Sequence, residues 1–112
     1  MDDMWTMIRE VRSRDERRSG APDPAKELLL MTKVSEEANE AAELYRRMKG
    51  WGTDGPATAT LPEVQDELCA AIMAGMVALD RISGNARAHW RHYLDYGYQR
   101  AKSENAAAEA TL

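Results

Sequence analysis

Phenylalanine is absent from these 112 residues, cysteine occurs once, at Cys69, and no long apolar run is present. Each absence narrows what the chain can be. A single thiol excludes an intrachain disulfide framework and a cysteine-built zinc site. It suits a reducing compartment, so a cytoplasmic location is expected. The longest apolar stretch, Leu68 to Leu79, is too short to span a bilayer, which takes about 20 residues, and no membrane partner is expected. The first residues, Met1-Asp2-Asp3-Met4-Trp5, are acidic and lack a leading apolar run, a pattern that does not read as a signal peptide. Basic excess is missing too. With a net charge of −4 and an isoelectric point near 5.2, the chain is poorly suited to a nucleic-acid polymer as its main partner. An anionic ligand therefore needs a local basic patch or a metal ion.

What the sequence does contain is helical punctuation, with no alternating run that would mark a strand. The expected fold class is all-α, an antiparallel bundle of four to five helices. The first helix runs from about Asp2 or Asp3 to Arg18 with Met4, Trp5, Ile8 and Val11 on its apolar side, and Ser19-Gly20-Ala21-Pro22 ends it. Asp23 before Pro24 predicts a capped start for a second helix reaching Met48. The loop that follows, Gly50-Trp51-Gly52-Thr53-Asp54-Gly55-Pro56 and beyond, is long enough to be either functional or disordered. Thr60-Leu61-Pro62-Glu63 opens a third helix that continues to Ile82, and Ser83-Gly84-Asn85 separates it from a fourth beginning near Ala86. Gly97 is expected to weaken or end that helix. Residues 1–102 are read as a single domain, with 103–112 as a frayed tail. A domain of this size is small for a stable monomer, so burial of leftover apolar surface in a homodimer or homotetramer is expected.

The acidic residues are distributed unevenly around these helices. At about 100° per residue, Leu30, Met31, Val34, Ala38, Ala41, Tyr45 and Met48 form one arc of the second helix. Glu37 falls inside it and Glu40 on its border, while Glu36 and Glu43 turn outward. In the third helix Val64, Leu68, Ala71, Ile72, Gly75, Leu79 and Ile82 form the arc, with Glu67 at its edge and Asp66 clearly outside. Most acidic runs are solvated faces. A carboxylate on a core face is costly, however, unless a cation, a metal or a hydrogen-bond network accompanies it. Glu37, Glu40 and Glu67 are thus expected to converge, as oxygen ligands for a hard divalent cation must.

Other candidates carry less. His89 and His92 share a helix face without a third ligand nearby in sequence. The arginines from Arg9 to Arg18 are interleaved with Glu10, Asp15 and Glu16, as on a solvated or subunit-bridging face. Gly50, Gly52 and Gly55 neither follow a strand nor precede a Lys-Ser or Lys-Thr pair, so no phosphate loop is present.

The segment Lys33-Val34-Ser35-Glu36-Glu37-Ala38-Asn39-Glu40, followed after a loop by Glu67-Leu68-Cys69 and Ile72, resembles the MazG-like, all-α nucleoside triphosphate pyrophosphohydrolases. The likeness covers roughly residues 24 to 82. It implies a MazG-like bundle completed by oligomerisation, and hydrolysis of an NTP or dNTP to the monophosphate and pyrophosphate. Members carry Glu-x-x-Glu and then Glu-x-x-Asp around Mg²⁺. Carried onto this chain, the metal ligands are Glu37, Glu40 and Glu67, with Mg²⁺ or Mn²⁺ as the cofactor and a nucleoside triphosphate as partner. Glu36 is the expected catalytic residue, orienting or deprotonating the attacking water. Lys33, Lys49 and Trp51 are the expected substrate contacts; for Lys33 the alternative is an i, i+4 pair with Glu37, and for Trp51 it is packing against a partner subunit. The fourth carboxylate is missing, because Ala70 stands where the family has Asp, and Asn39 stands where a Gly is usual. The alternative function is therefore a weakened or inactive homologue acting as a nucleotide-binding or interaction protein.

Overall fold

The computed structural model describes residues 3–51, 55 and 57–111, and these are all-helical, with no strand. Four helices follow in order: α1 (Met4–Ser19), α2 (Asp23–Met48), α3 (Leu61–Ile82) and α4 (Ala86–Ala110). The chain divides into two compact units, Met1–Ile82 and Ser83–Leu112. The boundary between them falls at the Ser83-Gly84-Asn85 break.

Local chemistry accounts for most helix ends. Asp3 caps α1, accepting from the Trp5 amide at 2.8 Å and the Thr6 hydroxyl at 2.9 Å. Gly20 closes it in the left-handed conformation, φ 64°, which glycine enters without steric cost. In α2, Pro22 occupies the cap position and Asp23 lies in the first turn, one residue later in the helix than its cap chemistry suggests. Thr60 and Glu63 form a reciprocal capping box at the start of α3. The Thr60 amide and hydroxyl donate to Glu63 Oε1 at 3.0 and 2.9 Å, and the Glu63 amide donates back to Thr60 Oγ1 at 3.4 Å.

The core of the first unit lies where α3 meets both α2 and α1. Ion pairs set the direction of the α2–α3 pair: Glu27 near the start of α2 meets Arg81 near the end of α3 at 3.6 Å, so the two helices run antiparallel. The buried positions are Trp5 and Ile8 on α1, Leu30 and Ala41 on α2, and Val64, Ala74, Val77, Ala78 and Asp80 on α3. This set corrects the expected α3 arc by a substantial rotation. Leu68 and Ile72 are 50% and 59% exposed, while the strip through Glu67, Ala74 and Ala78 faces inward. The reason is that α3 is covered on two flanks, by α2 and by α1, and its small residues sit where those helices approach. Its bulkier Leu61, Leu68 and Ile72 are left on the opposite flank. On α2, Met31, Ala38 and Tyr45, spaced by seven residues, are likewise exposed. Antiparallel partners read their helical wheels in opposite senses, so both stripes emerge on one side of the α2–α3 pair.

Asp80 is the buried charge of this unit. Arg9 Nη2 lies 3.3 Å from its Oδ1 and Arg12 Nε 3.2 Å from its Oδ2, and Arg12 Nη1 also donates to the Asp80 carbonyl at 3.2 Å. Arg81, next along the chain, pairs with Glu16 at 2.9 Å. These bonds fix where α1 crosses α3.

The second unit consists of α4 and its cap, where Asn85 accepts from the Ala88 amide at 3.2 Å. The helix passes through Gly97 and Ser103 without interruption and ends at Ala110, so it does not end at Gly97. Alanine-rich sequence with an i, i+4 pair such as Arg100–Glu104 favours helix by itself.

Candidate functional site

Glu37 and Glu40, one turn apart on α2, share a face of that helix, and Glu67 comes from the inward strip of α3. Each offers a carboxylate oxygen within 4.8 Å of the other two. The rotation of α3 that exposes Leu68 brings Glu67 from the edge of the expected arc to the middle of the α2-facing strip. Glu37 and Glu67 are half-buried and Glu40 is exposed. Glu67 Oε2 is buried and, among the described residues, no hydrogen-bond donor reaches it.

Three carboxylates this close cannot all ionise freely. The Glu67 carboxyl is pushed up to about 7 because its protonated form can donate to Glu37, because it is partly buried, and because of the charges of Glu37 and Glu40. Glu43, one turn beyond Glu40 on α2's outer surface, shows the opposite behaviour: Arg46 bonds to it and holds its carboxyl below the ordinary value. The first group needs a proton or a cation to sit among its oxygens. The second already has one from its own helix.

The remaining sequence-predicted residues lie around this cluster without joining it. Glu36 is exposed, adjacent to Glu37. Lys33 turns to Asp15 of α1, 3.7 Å away, so the alternative i, i+4 pair with Glu37 does not form. Lys49 places its ammonium over the Tyr45 ring at 5.7 Å, and Trp51 meets the same ring edge-on at 5.8 Å while remaining 67% exposed. Both lie at the C-terminal end of α2, with Lys49 about 13 Å along the axis from Glu40 at ~1.5 Å per residue. The loop leaves α2 under restraint, because Arg47 donates to Thr58 Oγ1 at 3.0 Å and to the Thr58 carbonyl at 3.3 Å. The expected functional stretch of that loop, Gly52, Thr53, Asp54 and Pro56, lies outside the described residues.

Ala70 is half-buried one turn after Glu67, and Asp66 is exposed. With Glu63 engaged as a cap, the Glu63–Asp66 pair does not replace the absent carboxylate. Sequence reasoning overlooked Asp80, whose signal was available: an Asp at i+3 from Val77 in an apolar helix, with Arg9 and Arg12 a turn apart on another. It also overlooked a cleft between α1 and α2 lined in part by Arg14, Arg18, Lys26 and Lys33.

No family model, curated protein or solved structure matches this chain.

Proposed function

We propose that the protein is a Mg²⁺-dependent nucleoside triphosphate pyrophosphohydrolase of the MazG-like kind, converting an NTP or dNTP to the monophosphate and pyrophosphate. The observation that carries this reading is the convergence of Glu37, Glu40 and Glu67 on one point, with the Glu67 Oε2 atom buried and lacking a donor. Three oxygen donors without a competing lysine or arginine suit a hard divalent cation, which accepts water in its remaining positions. Bound there, such an ion neutralises polyphosphate charge and acidifies water.

The chain's own contributions follow from position. Glu37, Glu40 and Glu67 would hold the cation from two antiparallel helices. Glu36, next to Glu37 and open to solvent, accepts the proton of the attacking water as its oxygen adds to the α-phosphorus and the bond to the β-phosphate's bridging oxygen breaks. The products are the monophosphate and pyrophosphate. Lys33 lies on the α1 side of the cluster, where it contacts phosphate. Lys49 and Trp51 lie on the loop side, where the exposed indole offers a stacking face for a base. We also infer a homodimer or homotetramer, acting in the cytoplasm. Its interface covers Leu61, Leu68 and Ile72 with Met31 and Tyr45, an apolar area that otherwise faces water.

Ala70 favours a second reading, a homologue that keeps the bundle and binds nucleotide with weakened or no catalysis. One assay separates the two: pyrophosphate release from a panel of NTPs and dNTPs with Mg²⁺ or Mn²⁺, for the native chain and for Ala70→Asp. Release by the native chain supports the enzyme. Release only by Ala70→Asp supports the weakened homologue. Release by neither, with no nucleotide-dependent rise in melting temperature, rejects both.

A further inference from the structure

A cleft of about 310 Å³ opens between the C-terminal half of α1 and the first turns of α2, at the small end of the range for small-molecule sites. Four cationic side chains line it, Arg14 and Arg18 from α1 and Lys26 and Lys33 from α2, with Leu29 and Leu30 as its apolar part. Charge is poorly balanced inside it. Asp15 alone serves both Arg14, at 3.0 Å, and Lys33, at 3.7 Å. Glu16 is committed to Arg81, and Lys26 has only the solvent-exposed Asp23 as its partner, at 3.2 Å. Arg18 makes no ion pair among the described residues. A chain with a net charge of −4 thus concentrates positive charge at one concave place, where a bound anion would relieve the mutual repulsion.

We propose that this cleft binds a phosphomonoester of nucleoside monophosphate size, its phosphate facing Arg14, Arg18, Lys26 and Lys33 and its organic part lying on Leu29 and Leu30. Guanidinium groups match phosphate oxygens in a two-pronged geometry, and the half-exposed Leu29 gives a ring an apolar surface that inorganic phosphate cannot use. The site needs no metal ion, and it stands apart from the carboxylate cluster, although Lys33 brings its wall within one turn of Glu37, about 6 Å along the axis. It shares Lys33 with the pyrophosphohydrolase reading but uses none of that reading's carboxylates, and so it goes beyond that reading without depending on it.

The test is isothermal titration of the full chain, in EDTA at constant ionic strength, with AMP, CMP, GMP and UMP separately and with inorganic phosphate. At least one nucleotide binds saturably in the low-millimolar range or tighter, and more tightly than phosphate. Arg14→Glu/Arg18→Glu weakens it by about tenfold or more, the scale of one lost charge-assisted contact. The distant Arg100→Glu leaves the affinity within about twofold. Should the double arginine variant fold poorly by circular dichroism, arginine side-chain NMR signals of the native chain serve instead, and those of Arg14 and Arg18 move on titration. The proposal is overturned if no nucleotide binds, if phosphate binds as tightly as every nucleotide, or if binding survives the arginine changes or leaves their signals unmoved. Because EDTA removes divalent cations, failure here leaves the carboxylate reading standing, and the converse holds.

Discussion

Replacing Asp80 by Asn tests what positions α1. The Asp80 side chain is 2% exposed, while its partners Arg9 and Arg12 are 65% and 23% exposed. Breaking a fully buried ion pair costs about 3–5 kcal/mol because the surviving charge is stranded, whereas a surface pair contributes about 0–1 kcal/mol. Here the carboxylate and the Arg12 Nε atom are buried but the Arg9 side chain reaches water, so an intermediate loss of about 2 kcal/mol is expected. In urea, with a slope of ~1–2 kcal/mol per molar for a chain of this size, that corresponds to a midpoint lower by about 1–2 M at unchanged slope. The paired replacement Arg12→Leu/Asp80→Leu recovers part of the loss, since removing both charges leaves less stranded. A shift for Asp80→Asn below about 0.5 kcal/mol, the range of ordinary surface changes, would refute the argument that this triad anchors α1 on α3.

Three further outcomes follow. The Glu67 carboxyl, raised from 4.5 to about 7 in the folded chain, contributes stability that is present below pH 4.5 and lost as pH rises through 7; in EDTA, Glu67→Gln flattens that decline and melts higher than the native chain above pH 7, and a variant that melts lower there would reverse the sign. Leu68→Glu/Ile72→Glu, at exposed positions, converts an oligomer to a folded monomer in sedimentation, and an unchanged mass would place the interface elsewhere. Thr60→Ala removes the α3 cap and lowers stability by about 1 kcal/mol in urea unfolding, with no change meaning that the capping box contributes little in solution.

Local chemistry made the element order legible. Gly20 ends α1, Thr60 with Glu63 starts α3, and Asn85 caps α4, because each depends on a few neighbouring residues. The wheel of α2 placed Glu37 and Glu40 toward α3 together with Leu30 and Ala41, although Met31, Ala38 and Tyr45 of the same expected arc are exposed. The wheel of α3 misled, because nearly every residue from Leu68 to Leu79 is apolar and hydrophobicity alone cannot choose a face. The choice is made by size: Ala74 and Ala78 permit close approach, and Asp80 is drawn to Arg9 and Arg12. Those partners come from a different part of the chain, as do the walls of the cleft containing Arg14 and Lys33. The sequence marks Asp80 as a charge in an apolar helix, but no local pattern pairs it with those arginines or announces the cleft. The persistence of α4 beyond Gly97 was missed because one glycine costs only about 1 kcal/mol in a helix that is otherwise rich in good formers.

Glu37, Glu40 and Glu67 are proposed to make one divalent-cation site. Titration of the native chain with Mg²⁺, repeated with Mn²⁺ and followed by electron paramagnetic resonance, tests it without reference to any substrate. A single ion should bind per chain and release a fraction of a proton near pH 7, and Glu37→Gln or Glu67→Gln should each weaken it severely. No binding at millimolar metal, or equal binding by native chain and variants, would contradict the claim.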